Sequence, residues 1–262
     1  SPNTYLSSKK AISYKGNPFL EYSSNGSYFG FDKEVSSGKS LLFSYFKGSH
    51  RDEDRFIQNQ NENSGLILQL FDFEGPNQIF YQLGISNSND MLLGLSSYGG
   101  FGDPKDSKTL FLGVETKSNL KDFDFTSSLH FGRTYADTSQ SGLIDDINSS
   151  VYSSFDISLA KKKVLNDKDY LSLEVSQPLK LEKAQMKFNL PVARTKDRKI
   201  IFNEYLVDLT PNGRQINAQI VYATKNDQLN VFGKVGLVNN EFHLKENKLE
   251  PYFLLDFEYY LK

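Results

Sequence analysis

Apolar and polar residues alternate with a period of two along most of this chain. That habit restricts it to pleated strands with two chemically different faces, because a helix would need apolar residues three and four apart. Leu110, Leu112 and Val114 share one face, while Glu115 and Lys117 take the other. Phe123, Phe125, Leu129 and Phe131 oppose Asp122, Asp124, Thr126, Ser128 and His130. The same alternation recurs at Phe155, Ile157 and Leu159, and again at Leu171, Leu173 and Val175. It returns at Met186, Phe188 and Leu190, at Ile216, Ala218 and Ile220, and at Leu229, Val231, Val235 and Leu237. It closes on Phe253, Leu255, Phe257, Tyr259 and Leu261. Phe occurs 21 times and Tyr 15 times, and aromatic residues favour half-buried pleated surfaces.

Turn-forming clusters separate these runs: Ser36-Ser37-Gly38, Asn87-Ser88-Asn89-Asp90, Asn166-Asp167-Lys168, Pro211-Asn212-Gly213 and Asn226-Asp227. Short turns between strands mean antiparallel hairpins, so the expectation is an all-β antiparallel chain of about a dozen strands. Two connections are longer and polar, 49–64 and 137–148. The first 26 residues alternate less clearly. They are expected to be a linker, a first strand or a segment entering a lumen, ahead of a single β domain over 27–262.

The alternation leaves open which face is wet. A soluble sandwich hides its apolar faces between two sheets, whereas a membrane barrel turns them to lipid. No apolar run approaches the ~18 residues of a membrane helix, so any crossing must be by a closed barrel, which has no unsatisfied edge. In that arrangement Glu115, His130, Glu174, Lys187 and Lys234 are expected to face the lumen. Tyr98, Tyr135, Tyr170, Tyr222 and Tyr252 near strand ends are similar to the aromatic girdles of such barrels, although the chain has no Trp.

The residues point to no bond chemistry. There is no Cys and only three His, at 50, 130 and 243, and no serine on a glycine-flanked turn to complete a triad. The acidic runs Asp52-Glu53-Asp54 and Asp145-Asp146 lack a calcium-loop pattern. Gly99-Gly100-Phe101-Gly102 precedes no helix that would present its N-terminus to a phosphate. Lys161-Lys162-Lys163 reads as a hairpin tip. The expectation is therefore no enzyme activity, no cofactor and no metal. A net charge of −2 gives no field that would gather nucleic acid. No basic start and apolar stretch follow Ser1, as a signal peptide would require.

From about Thr109 onward the chain resembles the C-terminal translocator domain of subtilisin-like serine protease autotransporters. The segments that carry the resemblance are Val175-Ser176-Gln177-Pro178-Leu179-Lys180-Leu181, Leu190-Pro191, and Val207 to Ile216 with Pro211, Gly213 and Arg214 at its centre. Leu110 to Glu115 and Leu129 to Thr134 resemble the strands that precede them. The strand Phe253 to Leu261 resembles the terminal signal by which outer-membrane barrels are recognised for assembly. Members of the family usually end in an aromatic residue, and this sequence ends Tyr260-Leu261-Lys262.

The resemblance implies a transmembrane β-barrel in a bacterial outer membrane, anchoring and helping to export an N-terminal passenger by type V secretion. Its implied partners are outer-membrane lipid and lipopolysaccharide, the barrel assembly machinery and the covalently linked passenger. Any protease activity would lie in that passenger. Ser176, Gln177, Pro178, Leu179, Pro211, Gly213 and Arg214 would be structural residues of the motif. Pro178 is expected at a strand end or bulge, Gly213 at a positive φ, and Arg214 beside an inward acid such as Glu174 or Asp208. A stand-alone porin-like or adhesin barrel, and a soluble secreted β-sandwich that binds a partner, remain the alternatives.

Overall fold

A computed structural model of the chain describes residues 17–19, 25–50, 61–73, 75–89, 104–138, 142–225, 229–245 and 248–259. Among the described residues fourteen strands form, one of them (Ile144–Ile147) inside the 137–148 stretch expected as a polar connection. They are β1 (Asn25–Ser36), β2 (Lys39–His50), β3 (Asn61–Asp72), β4 (Asn77–Asn89), β5 (Pro104–Leu120), β6 (Phe123–Thr138) and β7 (Ile144–Ile147). Then come β8 (Ser150–Lys162), β9 (Asp169–Lys183), β10 (Gln185–Arg194), β11 (Ile200–Asp208), β12 (Ile216–Lys225), β13 (Leu229–Asn239) and β14 (Leu249–Tyr259). A 3-10 turn, Glu241–His243, lies between the last two strands. Among the described residues there is no α-helix, and hence none long and apolar enough to cross a membrane.

Eleven strands pair in one antiparallel sheet in the order β1-β2-β3-β4-β5-β6-β8-β9-β12-β13-β14. This sheet is called the wall below. The remaining three form a separate sheet, β11-β10-β7. The expectation that Met186, Phe188 and Leu190 belong to the same row of hairpins is therefore corrected. The chain leaves the wall after β9, builds the β10–β11 hairpin, and returns as β12. The hairpin is closed at its base by Leu209 N–H donating to Ala184 O at 3.0 Å. It gains its third strand from β7, which aligns Ile147 with Met186.

The all-β antiparallel expectation holds, and closure into a barrel is not seen in the described residues. Among the described residues β1 and β14 are the two edges of the wall, and no ladder joins them.

Connections sort by length. Residues 37–38, 73–76, 121–122, 163–168 and 226–228 join strands at one end of the wall, while 51–60, 90–103, 139–149, 184–215 and 240–248 join them at the other. The short end is made by local chemistry. Gly38 turns at φ 76, and Lys121 at φ 54 closes the two-residue connection between β5 and β6. Asp169 accepts backbone N–H bonds from Val164, Leu165 and Asn166 at 2.7, 2.8 and 3.1 Å, which organises the β8–β9 turn.

Pro178 lies inside β9, as its missing N–H permits only at an irregular point. The register there slips between Ser153↔Lys180 and Phe155↔Gln177, so the proline occupies a bulge as expected.

Candidate functional site

The inner face of the wall is the candidate site, and its character follows from β4. Gln82, Gly84, Ser86 and Ser88 are buried, while Tyr81, Leu83 and Ile85 between them are 43%, 49% and 43% exposed. The neighbouring strands repeat this inversion. Ser107, Thr109 and Phe111 are buried in β5 and Leu110 and Leu112 are exposed. His130 and Thr134 are buried in β6 and Leu129 and Phe131 are exposed. Among the described residues 20 polar or charged side chains are buried against 11 hydrophobic ones, and 40 large hydrophobic side chains stand exposed. A monomer in water rarely leaves an apolar patch larger than a few hundred Å² uncovered. Here one whole face of the wall is such a patch.

Buried polar groups must find partners, and the inner face supplies them across strands. Thr109 and Thr134 bond hydroxyl to hydroxyl at 2.8 Å. Ser88 donates to Asn63 at 3.2 Å. Glu174 accepts from Ser172 at 2.8 Å and also from Gln219. Tyr252 donates to Gln219 at 2.5 Å while Lys234 lies 5.4 Å from the Tyr252 ring. Four of the five predicted inner residues therefore share this face. Glu115 sits opposite Ser128, His130 opposite Ser154, Glu174 opposite Gln219, and Lys234 opposite Val221. Lys187 does not join them: it lies in the three-stranded sheet, paired with Asp145 at 3.3 Å and Glu204 at 3.0 Å. Tyr135 stands exposed on the apolar side, whereas Tyr170, in register with Ser172 and Glu174, and Tyr252 lie on the polar face.

Part-way along β3 to β6, and near the start of β8, the inner face becomes apolar. Ile67, Gly84, Phe111, Gly132 and Tyr152 align in register across β3, β4, β5, β6 and β8. Phe19, from the segment ahead of β1, packs into this row. Its ring stacks on Phe111 with centroids 5.4 Å apart and meets Tyr152 edge-on at 6.5 Å. Asn17 fixes the segment twice: Oδ1 accepts from Phe19 N–H at 3.0 Å, and Nδ2 donates to Gln82 Oε1 at 2.8 Å. Asn17 and Phe19 are each 1% exposed. Neither was singled out in the sequence, where the first 26 residues alternate less clearly.

The motif residues converge at the end of the wall that carries the long connections. Arg214 donates to both carboxylate oxygens of Glu182, at 2.8 and 2.9 Å, and to Gln177 Oε1. Its acid partner is thus Glu182, and neither Glu174 nor Asp208. Gln177 also donates to Ser153 O at 3.1 Å, and Lys180, with 7% of its side chain exposed, pairs with Glu182 at 3.0 Å. Ser176 lies opposite Asn217 and Asp156 on the polar face.

His243, buried in the β13–β14 connection, completes this tie. Its Nδ1 accepts from Gln215 N–H at 2.9 Å, which leaves the proton on Nε2, facing Leu179 O at 3.1 Å. Burial, with Lys180 and Arg214 nearby, holds its pKa below the usual histidine range. Gly213 follows Pro211 as foreseen, but for another reason than a positive φ. A Cβ there would come within 2.7 Å of Lys245 N and 2.8 Å of His243 O, so the two connections meet only over a glycine.

Among the described residues no group of three or more His, Asp or Glu could hold a metal ion. His130 stands over Gly113, where a Cβ would meet its ring at 2.5 Å. Asp145 is engaged by Lys187, and Lys162 of the lysine run pairs with Asp124 at 2.6 Å. A cavity of about 310 Å³ near the short-turn end is lined in part by Lys168, Tyr170 and Asp256. The Asp52-Glu53-Asp54 run, the 99–102 glycines and Tyr98 lie outside the described residues, as does the side chain of His50. No protein-family model, curated protein or solved structure matches the chain.

Proposed function

We propose that this chain is an outer-membrane-type β-barrel that anchors an N-terminal passenger and helps to export it. The observation that carries the membrane reading is the inversion of the wall: a hydrogen-bonded polar face is buried, and the apolar face of eleven strands is exposed. Burying a Leu or Phe side chain is worth about 1.5–3 kcal/mol. Lipid recovers that quantity over the exposed face, whereas water forgoes it. The sorting of short and long connections to opposite ends is the second support, since membrane barrels have this asymmetry. A β-sandwich fits less well, because its buried faces are apolar and a second sheet covers them.

Strand parity adds a constraint. An odd number of antiparallel strands leaves β1 and β14 running the same way, from the long-connection end to the short-turn end. One more strand between them, antiparallel to both, gives an even-stranded closure of about twelve and removes both edges.

In this reading the polar face lines a lumen, and the partners are outer-membrane lipid and lipopolysaccharide, the assembly machinery and the passenger. The export role rests on the resemblance of the segments around Ser176 to Leu181 and Pro211 to Arg214. Two experiments separate its layers. Refolded into lipid vesicles, the chain should migrate as a compact band on electrophoresis that shifts on heating. A chain that stays soluble and monodisperse without detergent sinks the membrane reading. A reporter fused ahead of Ser1 and expressed in bacteria should become accessible to added protease at the cell surface. A reporter held in the periplasm while the wall inserts would leave a stand-alone porin or adhesin.

A further inference from the structure

We infer that the tip of the β10–β11 hairpin is a phosphate-binding finger, and that its partner is the phosphorylated saccharide of lipopolysaccharide in the outer leaflet. This inference rests on the barrel reading above and deepens it, by naming where on the chain that partner is held and by which groups.

The tip gathers Arg194, Lys196, Arg198 and Lys199 within six residues, against a single acid, Asp197. All of them are exposed. Among the described residues none of the four cations has an ion-pair partner. Many other cations of the chain are neutralised from within. Lys39 meets Asp72 at 2.9 Å, Lys47 meets Glu62 at 2.8 Å, and Lys180 and Arg214 share Glu182. The second basic run, Lys161-Lys162-Lys163, is engaged at every member. Lys161 lies 5.9 Å from the Phe123 ring, Lys162 pairs with Asp124 at 2.6 Å, and Lys163 reaches Asp167 at 3.8 Å. Four like charges side by side repel one another, so a counter-charge from outside the chain stabilises the tip.

The turn that carries them is held by its own bonds. Thr195 N–H donates to Lys199 O at 2.8 Å, and Arg198 N–H donates to Thr195 O at 3.0 Å. Lys199 N–H donates to the Thr195 hydroxyl at 3.0 Å. The backbone is therefore set before any ligand arrives, which lowers the entropy lost on binding. Each guanidinium can present two N–H groups to one phosphate, and each ammonium adds a point charge.

The root of the hairpin identifies the source of the phosphate. Ala184 and Leu209 close it at the long-connection end of the wall, the outer end in the barrel reading. At about 3.4 Å per residue β11 is about 30 Å long, so the tip is tethered within that radius of the membrane surface. Lipopolysaccharide phosphates stand there at high local concentration, whereas a soluble polyanion must be gathered from bulk. The turn also has no aromatic residue on which a nucleobase could stack. The contacts are to phosphate, above the acyl chains that meet the wall.

The test is binding of lipopolysaccharide to the full chain refolded in neutral detergent, with the heat-shifting band read on the same sample. Native binding should weaken as salt is raised. Arg194→Gln, Lys196→Gln, Arg198→Gln and Lys199→Gln combined should weaken it by about tenfold or more and flatten the salt dependence. The band should persist, because every changed side chain is exposed. Lys161→Gln with Lys163→Gln should bind as the native chain does. Dephosphorylated lipopolysaccharide should bind native and fourfold variant alike. If the fourfold variant keeps native affinity, or dephosphorylation changes nothing, the finger is overturned. If heparin, a soluble sulfated polymer, binds the tip as tightly as lipopolysaccharide does, the assignment to the membrane is overturned. A sample without the heat-shifting band brings down the barrel reading, and the lipopolysaccharide assignment with it.

Discussion

Strands β4 and β11 are both antiparallel and both carry large apolar residues, yet they are built for different surroundings. In β4 one face is hidden, and it is the polar one: Gln82, Ser86 and Ser88 are buried while Leu83 and Ile85 face out. In β11 no residue from Ile200 to Asp208 is hidden on either face. The three-stranded sheet keeps its charges where water can reach them, with Lys187 between Asp145 and Glu204, and buries only Ile144 and Ile147 of β7. The exposed apolar residues of the wall instead form one continuous side, strand after strand. Exposure alone is therefore a poor guide to environment. One-sided exposure, repeated from β2 through β9 and set against a buried polar face, is what separates the body of the wall from the appendage.

The largest expected effect comes from charging the wall. Leu112, 49% exposed and flanked in register by Leu83 and Phe131, sits in the middle of the apolar side. Leu112→Lys should destabilise the lipid-refolded chain by about 2–4 kcal/mol, read from urea unfolding in vesicles. An exposed leucine in water would tolerate the change within about 0.5 kcal/mol, and that outcome would erase the difference between the two regions.

Next comes the tie where wall and appendage meet. Arg214→Ala breaks the two-pronged contact with Glu182 and the bond to Gln177, at a cost of about 1 kcal/mol because the guanidinium is half exposed. Limited proteolysis should show faster cleavage in the 209–215 connection while the wall stays protected.

A smaller effect should appear with pH at His243. Its folded pKa is depressed by burial, so between the folded and unfolded values the unfolded chain binds more protons. Its contribution is present above the ordinary histidine range and fades as pH falls through that range toward the folded value. Protonation also removes the Nδ1 acceptor for Gln215 N–H. Amide exchange at Gln215 should accelerate at mildly acidic pH, and His243→Gln should flatten that dependence. The smallest effect is expected at Lys187. Its ammonium is raised in pKa by hydrogen bonds to Glu204 and Asp145 but is solvated, so Lys187→Ala should leave the melting temperature unchanged within error.

The strands were legible because period-2 alternation is a local property. Leu110 to Lys117 and Leu171 to Ser176 pair as the pattern requires. The choice of surroundings was not legible, because a polar face looks the same whether water or a lumen wets it. The partner of Arg214 was missed for a topological reason. The β10–β11 excursion and the bulge at Pro178 carry Glu182 to Arg214 from 32 residues away, and spacing along the chain encodes neither. Met186 to Leu190 alternates like a wall strand, and only pairing with β7 and β11 takes it elsewhere. Asn17 and Phe19 lie where alternation is weakest. Their packing depends on Gly132, where a Cβ would lie 2.3 Å from Phe19 Cζ. His243 looked like one isolated histidine among three, and its work is to join Leu179 to Gln215 across two connections.

The central claim is that the apolar side of the wall meets lipid and the three-stranded sheet does not. The absence of tryptophan makes a single reporter unambiguous. Leu173→Trp places it on the wall's apolar side, and Lys187→Trp places it in the appendage. After refolding into vesicles whose acyl chains carry bromine, the Leu173→Trp emission should be strongly quenched and the Lys187→Trp emission should not. Equal emission from the two, with neither quenched, would contradict the account.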